Sequence, residues 1–219
     1  MLKRKLMTLL FGALLAVLAS SMLTAACSGP ARLGLSAPAP TPATTGAGGD
    51  VLVRRPVQQL ALSLMDLPPG FTIAEELKPA LDAAADPFGR LSAYGVTYAP
   101  AAGAAGSDET WREVVSSVIT YVGMAQAAEA FASWRSVVPL PYRLAEGVGP
   151  KLGDETVVYV RGSESGTRGV RPTCLVGLRT RNVIASISVA ARSGTDVPVE
   201  AAVRLARLTA QRIQAAAGR

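Results

Sequence analysis

Between residues 28 and 50 the chain consists almost wholly of Ser, Gly, Ala, Pro and Thr, with Pro38, Pro40 and Pro42 at alternate positions and Gly46, Gly48 and Gly49 near the end. Such a composition cannot bury enough apolar surface to offset the entropy of ordering it. It reads as a tether, semi-extended in its proline part and flexible in its glycine part. Whatever folds must therefore come from residues 51–219, a length that suits one domain and is short for two. No second linker interrupts that body, so the chain divides into 1–26, 27–50 and 51–219.

Ahead of the tether, Lys3, Arg4 and Lys5 precede an apolar run over residues 6–19, and then come Leu23, Thr24, Ala25, Ala26 and Cys27. A cationic start, a short apolar stretch and small residues before a cut site make a secretory signal, and the run is too short to span a bilayer comfortably. Segment 23–27 closely resembles the lipobox of bacterial lipoproteins, with Thr24 where leucine is commonest. The resemblance implies that a diacylglycerol is attached to the Cys27 sulfur and that residues 1–26 are cleaved away. The membrane is then a partner through lipidated Cys27, on the outer face of the cytoplasmic membrane or on an outer membrane if the organism has one. Two or three acyl chains on one residue hold stably where a single chain holds marginally.

The rest of the composition mostly excludes. The chain has 22 Lys plus Arg against 16 Asp plus Glu, and losing Lys3, Arg4 and Lys5 with the signal leaves 19 against 16. That surplus is ordinary for a soluble domain and gives no argument for nucleic acid as a partner. With Cys27 lipidated only Cys174 remains, so no intramolecular disulfide is possible. Cys174 lies in an apolar run, 173–178, that reads as a strand with a buried small hydrophobe. The chain has no histidine, which removes Ser-His-Asp and Cys-His catalysis and the common zinc sites. The stretch Gly162, Ser163, Glu164, Ser165, Gly166 puts glutamate where a nucleophile elbow needs serine. Gly147, Gly149 and Gly153 precede a strand, whereas a dinucleotide loop follows one. The adjacent pairs Glu75 with Glu76, Asp108 with Glu109 and Asp154 with Glu155 point to different faces of an extended chain and read as solvated charge. No catalytic, metal-binding or cofactor-binding residue is assigned, and no cofactor is expected.

The body reads as mixed α and β. Leu60, Leu62 and Leu64 alternate as in a strand, although a short helix fits almost as well. Asp66, Leu67, Pro68, Pro69, Gly70 makes a tight turn that delivers Phe71 and Ile73 into a strand. The alanine-rich stretch 79–91 suits a short helix or ordered loop. Tyr94, Val96 and Tyr98 alternate as a strand, residues 99–108 make a hairpin loop, and residues 111–122 form a long β-branched strand covered on both faces. Met124, Ala127, Ala128, Phe131, Trp134 and Val138 recur at helical spacing up to Pro139 and Pro141. Strands follow at 156–161, 173–178 and 183–190, with a glycine-and-charge loop over 162–169. Asp196 and Pro198 then open a last helix whose Val199, Ala202, Val203, Ala206, Ala210 and Ile213 share one side. Strands then helix, twice over, give the fold class α+β: a single-domain antiparallel sheet sandwich with helices, suggesting two similar strand-strand-helix halves.

Over about residues 54–215 this order, with Asp66 to Phe71 opening the first half and Gly153, Asp154, Glu155 and the Arg181, Asn182, Val183, Ile184 hairpin in the second, resembles uncharacterised lipoproteins of G+C-rich bacteria. More remotely it is similar to the extracellular sensor domains of mycobacterial serine/threonine kinases. Three functions follow. The favoured one is a membrane-anchored, non-catalytic binding or sensor module outside the cytoplasmic membrane, its partner an unknown protein, cell-envelope component or small-molecule ligand. The alternatives are a carrier of a lipid or other apolar ligand, with Met124, Phe131 and Trp134 lining its cavity, and a carboxylate-dependent hydrolase. Arg179 and Arg181, one strand period apart near a turn, are the candidate contacts to an anionic partner.

Overall fold

The computed structural model describes residues 52–79, 86–102, 110–138, 142–145, 149–162 and 171–218. Cys27, the tether, and residues 103–108 and 163–169 of the expected loops at 99–108 and 162–169 lie outside the described residues, while Ala99 and Pro100 of the first loop belong to a strand. Within residues 51–219, which form one compact unit, the strands are β1 (Phe71–Leu77), β2 (Arg90–Pro100), β3 (Trp111–Tyr121), β4 (Arg143–Leu144), β5 (Glu155–Arg161), β6 (Thr173–Thr180) and β7 (Val183–Ala191). They make one antiparallel sheet in the order β1-β2-β3-β7-β6-β5-β4. Among the described residues the α-helices are α1 (Val57–Leu60), α2 (Met124–Val137) and α3 (Val199–Ala217). The fold is therefore an α+β antiparallel sheet layered with helices.

The β-branched run of β3 sits near the middle because both of its faces are covered. Val114 and Val118 are fully buried on one face, and Val115 and Tyr121 nearly so on the other. The first face carries the main core, where Val176, Leu178 and Ile187 of the sheet meet Ala202, Leu205, Ala206 and Ile213 of α3. The opposite face packs Tyr121, Val157, Tyr159 and Ile184 against Ala127, Ala130 and Phe131 of α2. The strand order of the two halves repeats, since β1-β2-β3 and β5-β6-β7 are both meanders joined through β3 and β7. Their helices, however, lie on opposite faces. Residues 53–67 already cover the β2–β3 side of the first face and α3 its β6–β7 side, which leaves α2 the other face.

Segment 53–62 explains why the alternating leucines do not make a strand. It crosses the first face with no sheet edge to pair with, so its buried backbone groups need other partners. Side chains supply them. The Asn182 amide accepts from Val53 N–H at 2.8 Å and donates to the Val53 carbonyl at 3.3 Å. Ser116 Oγ accepts from Leu62 N–H at 3.2 Å, and the Tyr98 hydroxyl donates to the Leu62 carbonyl at 2.6 Å. Burial pushes that tyrosine up to about 12, so it remains a donor. Arg212 of α3 donates to the Ala61 carbonyl at 2.6 Å and pairs with Asp66 at 2.7 Å. Val57 and Leu60 pack into the core through the single turn of α1, and a 3-10 turn, Leu64–Asp66, leads to Gly70. Gly70 takes φ +94°, a conformation that favours glycine, and sends Phe71 into β1 as expected.

Cys174 of β6 is fully buried and burial pushes its thiol up to about 12. It is a core residue with almost no thiolate at neutral pH. Phe131 and Trp134 stack with ring centres 5.5 Å apart, and Trp134 meets Tyr159 edge-on at 6.1 Å. These aromatics pack on one another and on the sheet.

Candidate binding groove

Residues 52–56 open the described part of the body, and the chain passes there over one end of the sheet. At this end β2 begins, β3 finishes and the β6–β7 hairpin turns, because the register pairs Arg90 with Tyr121 and Thr180 with Val183. The incoming residues 52–56, Leu91 and Ser92 of β2, Thr120 of β3, Val122 beyond it, and Asn182 of the turn enclose an open groove of about 570 Å³. Its lining holds two guanidinium groups, two hydroxyls and one amide, with no carboxylate.

The walls are apolar and wet at once. Leu91 is 55 % exposed and Val122 47 % exposed, while the Ser92 and Thr120 hydroxyls satisfy each other at 2.9 Å. The wall is braced from behind. Val122 N–H donates to the Gly89 carbonyl at 3.0 Å, and Gly89 itself takes φ +62°, where a Cβ would strike the Val122 side chain. The Asp86 carboxylate gathers the Phe88 N–H and the Arg90 guanidinium, a pair almost wholly buried at 4 % and 9 % side-chain exposure. Fixed apolar walls flanked by exposed Arg54 and half-buried Arg55 suit a partner that is both amphiphilic and anionic.

The two arginines singled out in the sequence lie at the same end. Arg179 is on β6 and only 13 % of its side chain is exposed. Its Nε donates to Glu155 at 2.6 Å, and its NH1 donates to Asp154 at 3.2 Å and to the Arg181 carbonyl at 3.3 Å. Arg181 occupies the first turn position with φ +54°, and its backbone N–H donates to Asp154 Oδ2 at 2.6 Å. Strand periodicity thus stops one residue short of Arg181, and the Asp154–Glu155 pair serves Arg179. Cys27 lies outside the described residues. The groove residues Arg54, Arg55, Leu91, Val122 and Asn182 were not singled out from the sequence. The basic pair Arg54–Arg55 near the start of the body is the one signal that points there, whereas Leu91 and Val122 read like any other strand hydrophobics.

A second polar cluster lies at the opposite end, on the α2 face. Register places Glu113, Ala190, Thr173 and Arg161 in one row across four strands. Arg161 donates to Thr173 Oγ1 at 3.1 Å and lies 5.1 Å from the Tyr142 ring centre, while its Nε is buried without a partner among the described residues. Burial raises the Glu113 carboxyl above its ordinary range, against the pull of Arg171 and Arg161. A carboxyl harder to ionise folded than unfolded contributes stability that is fully present below its unfolded pKa. That stability is lost as pH rises from there through the raised folded value. Glu113→Gln is therefore expected to raise Tm at neutral pH and to leave it nearly unchanged below about pH 3.5. Calorimetry across pH checks this, and an equal gain at both ends would mean that ionisation of Glu113 is not the cause.

The fold is similar to that of the extracellular domain of PknH from Mycobacterium tuberculosis, with a TM-score of 0.50 over 73 % of this chain and 95 % of that one, at 10 % sequence identity. At such identity the likeness is one of fold, and it bears out the remote resemblance seen in the order of elements. No family model matches the chain and no curated protein matches it.

Proposed function

We propose that this chain is an extracytoplasmic lipoprotein, held at the membrane through Cys27, whose body is a non-catalytic binding or interaction module. The observation that carries the binding part is the groove at the tether end: preformed, apolar-walled and basic, with no carboxylate in its lining. A general acid or base has nowhere to stand there. The fold shared with an extracellular domain is consistent with a position outside the cytoplasm. Among the described residues no helix is long and apolar enough to cross a membrane; in this reading attachment rests on the lipobox-like segment ending at Cys27. The carrier reading is less favoured because Phe131 is fully buried and stacks on Trp134. An anionic partner at the β6–β7 turn would have to compete with Asp154 and Glu155 for Arg179.

Cys27→Ser tests the attachment. The variant is expected to move from the membrane fraction to soluble protein or to accumulate as unprocessed precursor, a near-complete loss of the lipidated form. Fractionation with immunoblotting reads the first outcome and the intact mass reads the second. A variant that partitions and migrates like the parent overturns the lipoprotein reading. Native mass spectrometry of the detergent-extracted parent then addresses the module, a co-purified ligand being the expected result.

A further inference from the structure

We propose that the groove end of the body is a membrane-docking face: Leu91 and Val122 enter the interface of an anionic phospholipid bilayer while Arg54 and Arg55 meet its headgroups. This deepens the reading above and rests on the lipid anchor at Cys27. Four observations converge on one surface. Leu52, the first described residue of the body, lines the groove, so in the lipoprotein reading the chain leading from Cys27 enters the body at this face. In the tether reading, a chain of the length between Cys27 and Leu52 is expected to have a root-mean-square span of roughly 30 Å, which would hold the face within reach of the bilayer at high effective concentration.

Leu91 and Val122 are two of the few large hydrophobic side chains left exposed among the described residues, at 55 % and 47 %, and both line the groove at the sheet end. Apolar side chains so placed, rimmed by guanidinium groups, match the boundary between acyl chains and acidic headgroups. Charge completes the match. Arg54 and Arg55 border the groove, its lining contains no acidic residue, and the acids at this end are paired, Asp86 with Arg90 beneath the surface and Asp154 and Glu155 with Arg179. Each arginine near an acidic leaflet is expected to favour docking about fivefold.

The test uses the full lipidated chain in vesicles of phosphatidylcholine with phosphatidylglycerol. A nitroxide is placed on Leu91→Cys or Val122→Cys, and, as control, on Ser193→Cys beyond the far end of β7. The native Cys174 is fully buried and does not compete for the label. The expected result is that labels at 91 and 122 are protected from an aqueous paramagnetic relaxer and exposed to dissolved oxygen, while the label at 193 is not. Pure phosphatidylcholine, or Arg54→Gln with Arg55→Gln, should reduce the docked fraction, by about thirtyfold in the docking equilibrium for the double change. If the chain floats with the vesicles but labels at 91 and 122 are as wet as the one at 193, docking is overturned and the tether reading stands. If the chain does not float, the tether reading fails and this proposal fails with it.

Discussion

Asn182→Ala is expected to destabilise the body by about 3 kcal/mol, lowering Tm by roughly 6–12 °C for a domain of this size. The side chain is fully buried and each of its polar atoms is used. Its Oδ1 accepts from Val53 N–H, and its Nδ2 donates to the carbonyls of Val53 and Tyr121, the latter at 2.9 Å. Truncation removes three hydrogen bonds and leaves one N–H and two C=O groups in an interior where each unmet partner costs about 1–3 kcal/mol. Part of that cost is recovered as segment 53–62 loosens and water reaches Val53. The damage therefore includes a local opening as well as a global loss. Chemical denaturation measures the global term, and hydrogen exchange at Val53 and Leu62 measures the local one. A change within about half a kcal/mol, with unaltered exchange, would show that the segment is held by Val57 and Leu60 alone.

That prediction rests on a relation that no local pattern could reveal. Asn182 and Val53 are 129 positions apart, and a turn asparagine reads as turn chemistry wherever it occurs. The hairpin itself was legible, because β-branched strands bracket Arg181 and Asn182. So were β2 from Tyr94, Val96 and Tyr98, the two-faced burial of β3, and the apolar stripe of α3. In each case period and propensity agree with the tertiary environment. The leucines at 60, 62 and 64 were ambiguous for a physical reason. A segment lying across a sheet face, with its backbone satisfied by Ser116, Tyr98 and Arg212, is under no periodic constraint of its own. The opposite placement of α2 and α3 was hidden too, since an amphipathic stripe tells that a helix packs and not on which face.

Site chemistry was less legible than fold. Arg179 and Arg181 stood out because arginines there interrupt an apolar pattern, but the sequence gives no sign that Arg179 faces the Asp154–Glu155 pair across β5 and β6. The groove combines residues from four separate segments, joined only when Arg90 pairs with Tyr121 and Thr180 with Val183. Exposure of Leu91 and Val122 likewise follows from where the strands end.

The packing of α2 leads to the second large expected effect. Gly177 of β6 lies beneath the Trp134 ring, and a Cβ there would fall inside contact distance of its outer edge and 3.3 Å from Val157 Cγ2. Two effects compete in Gly177→Ala. Alanine lowers the entropy of the unfolded chain and favours the variant by about 0.5–1 kcal/mol, while overpacking a filled interface costs about 1–3 kcal/mol. The second should win because the indole cannot retreat: Phe131 stacks on it at 5.5 Å and Tyr159 meets it edge-on at 6.1 Å. A net loss of about 1–2 kcal/mol is expected. Combining Gly177→Ala with Trp134→Leu should cost clearly less than the sum of the two single changes, since removing the ring removes the clash. Urea unfolding of the four proteins gives the coupling. Additive costs, or a Gly177→Ala variant as stable as the parent, would mean that α2 is not seated on the sheet through Trp134 and Gly177.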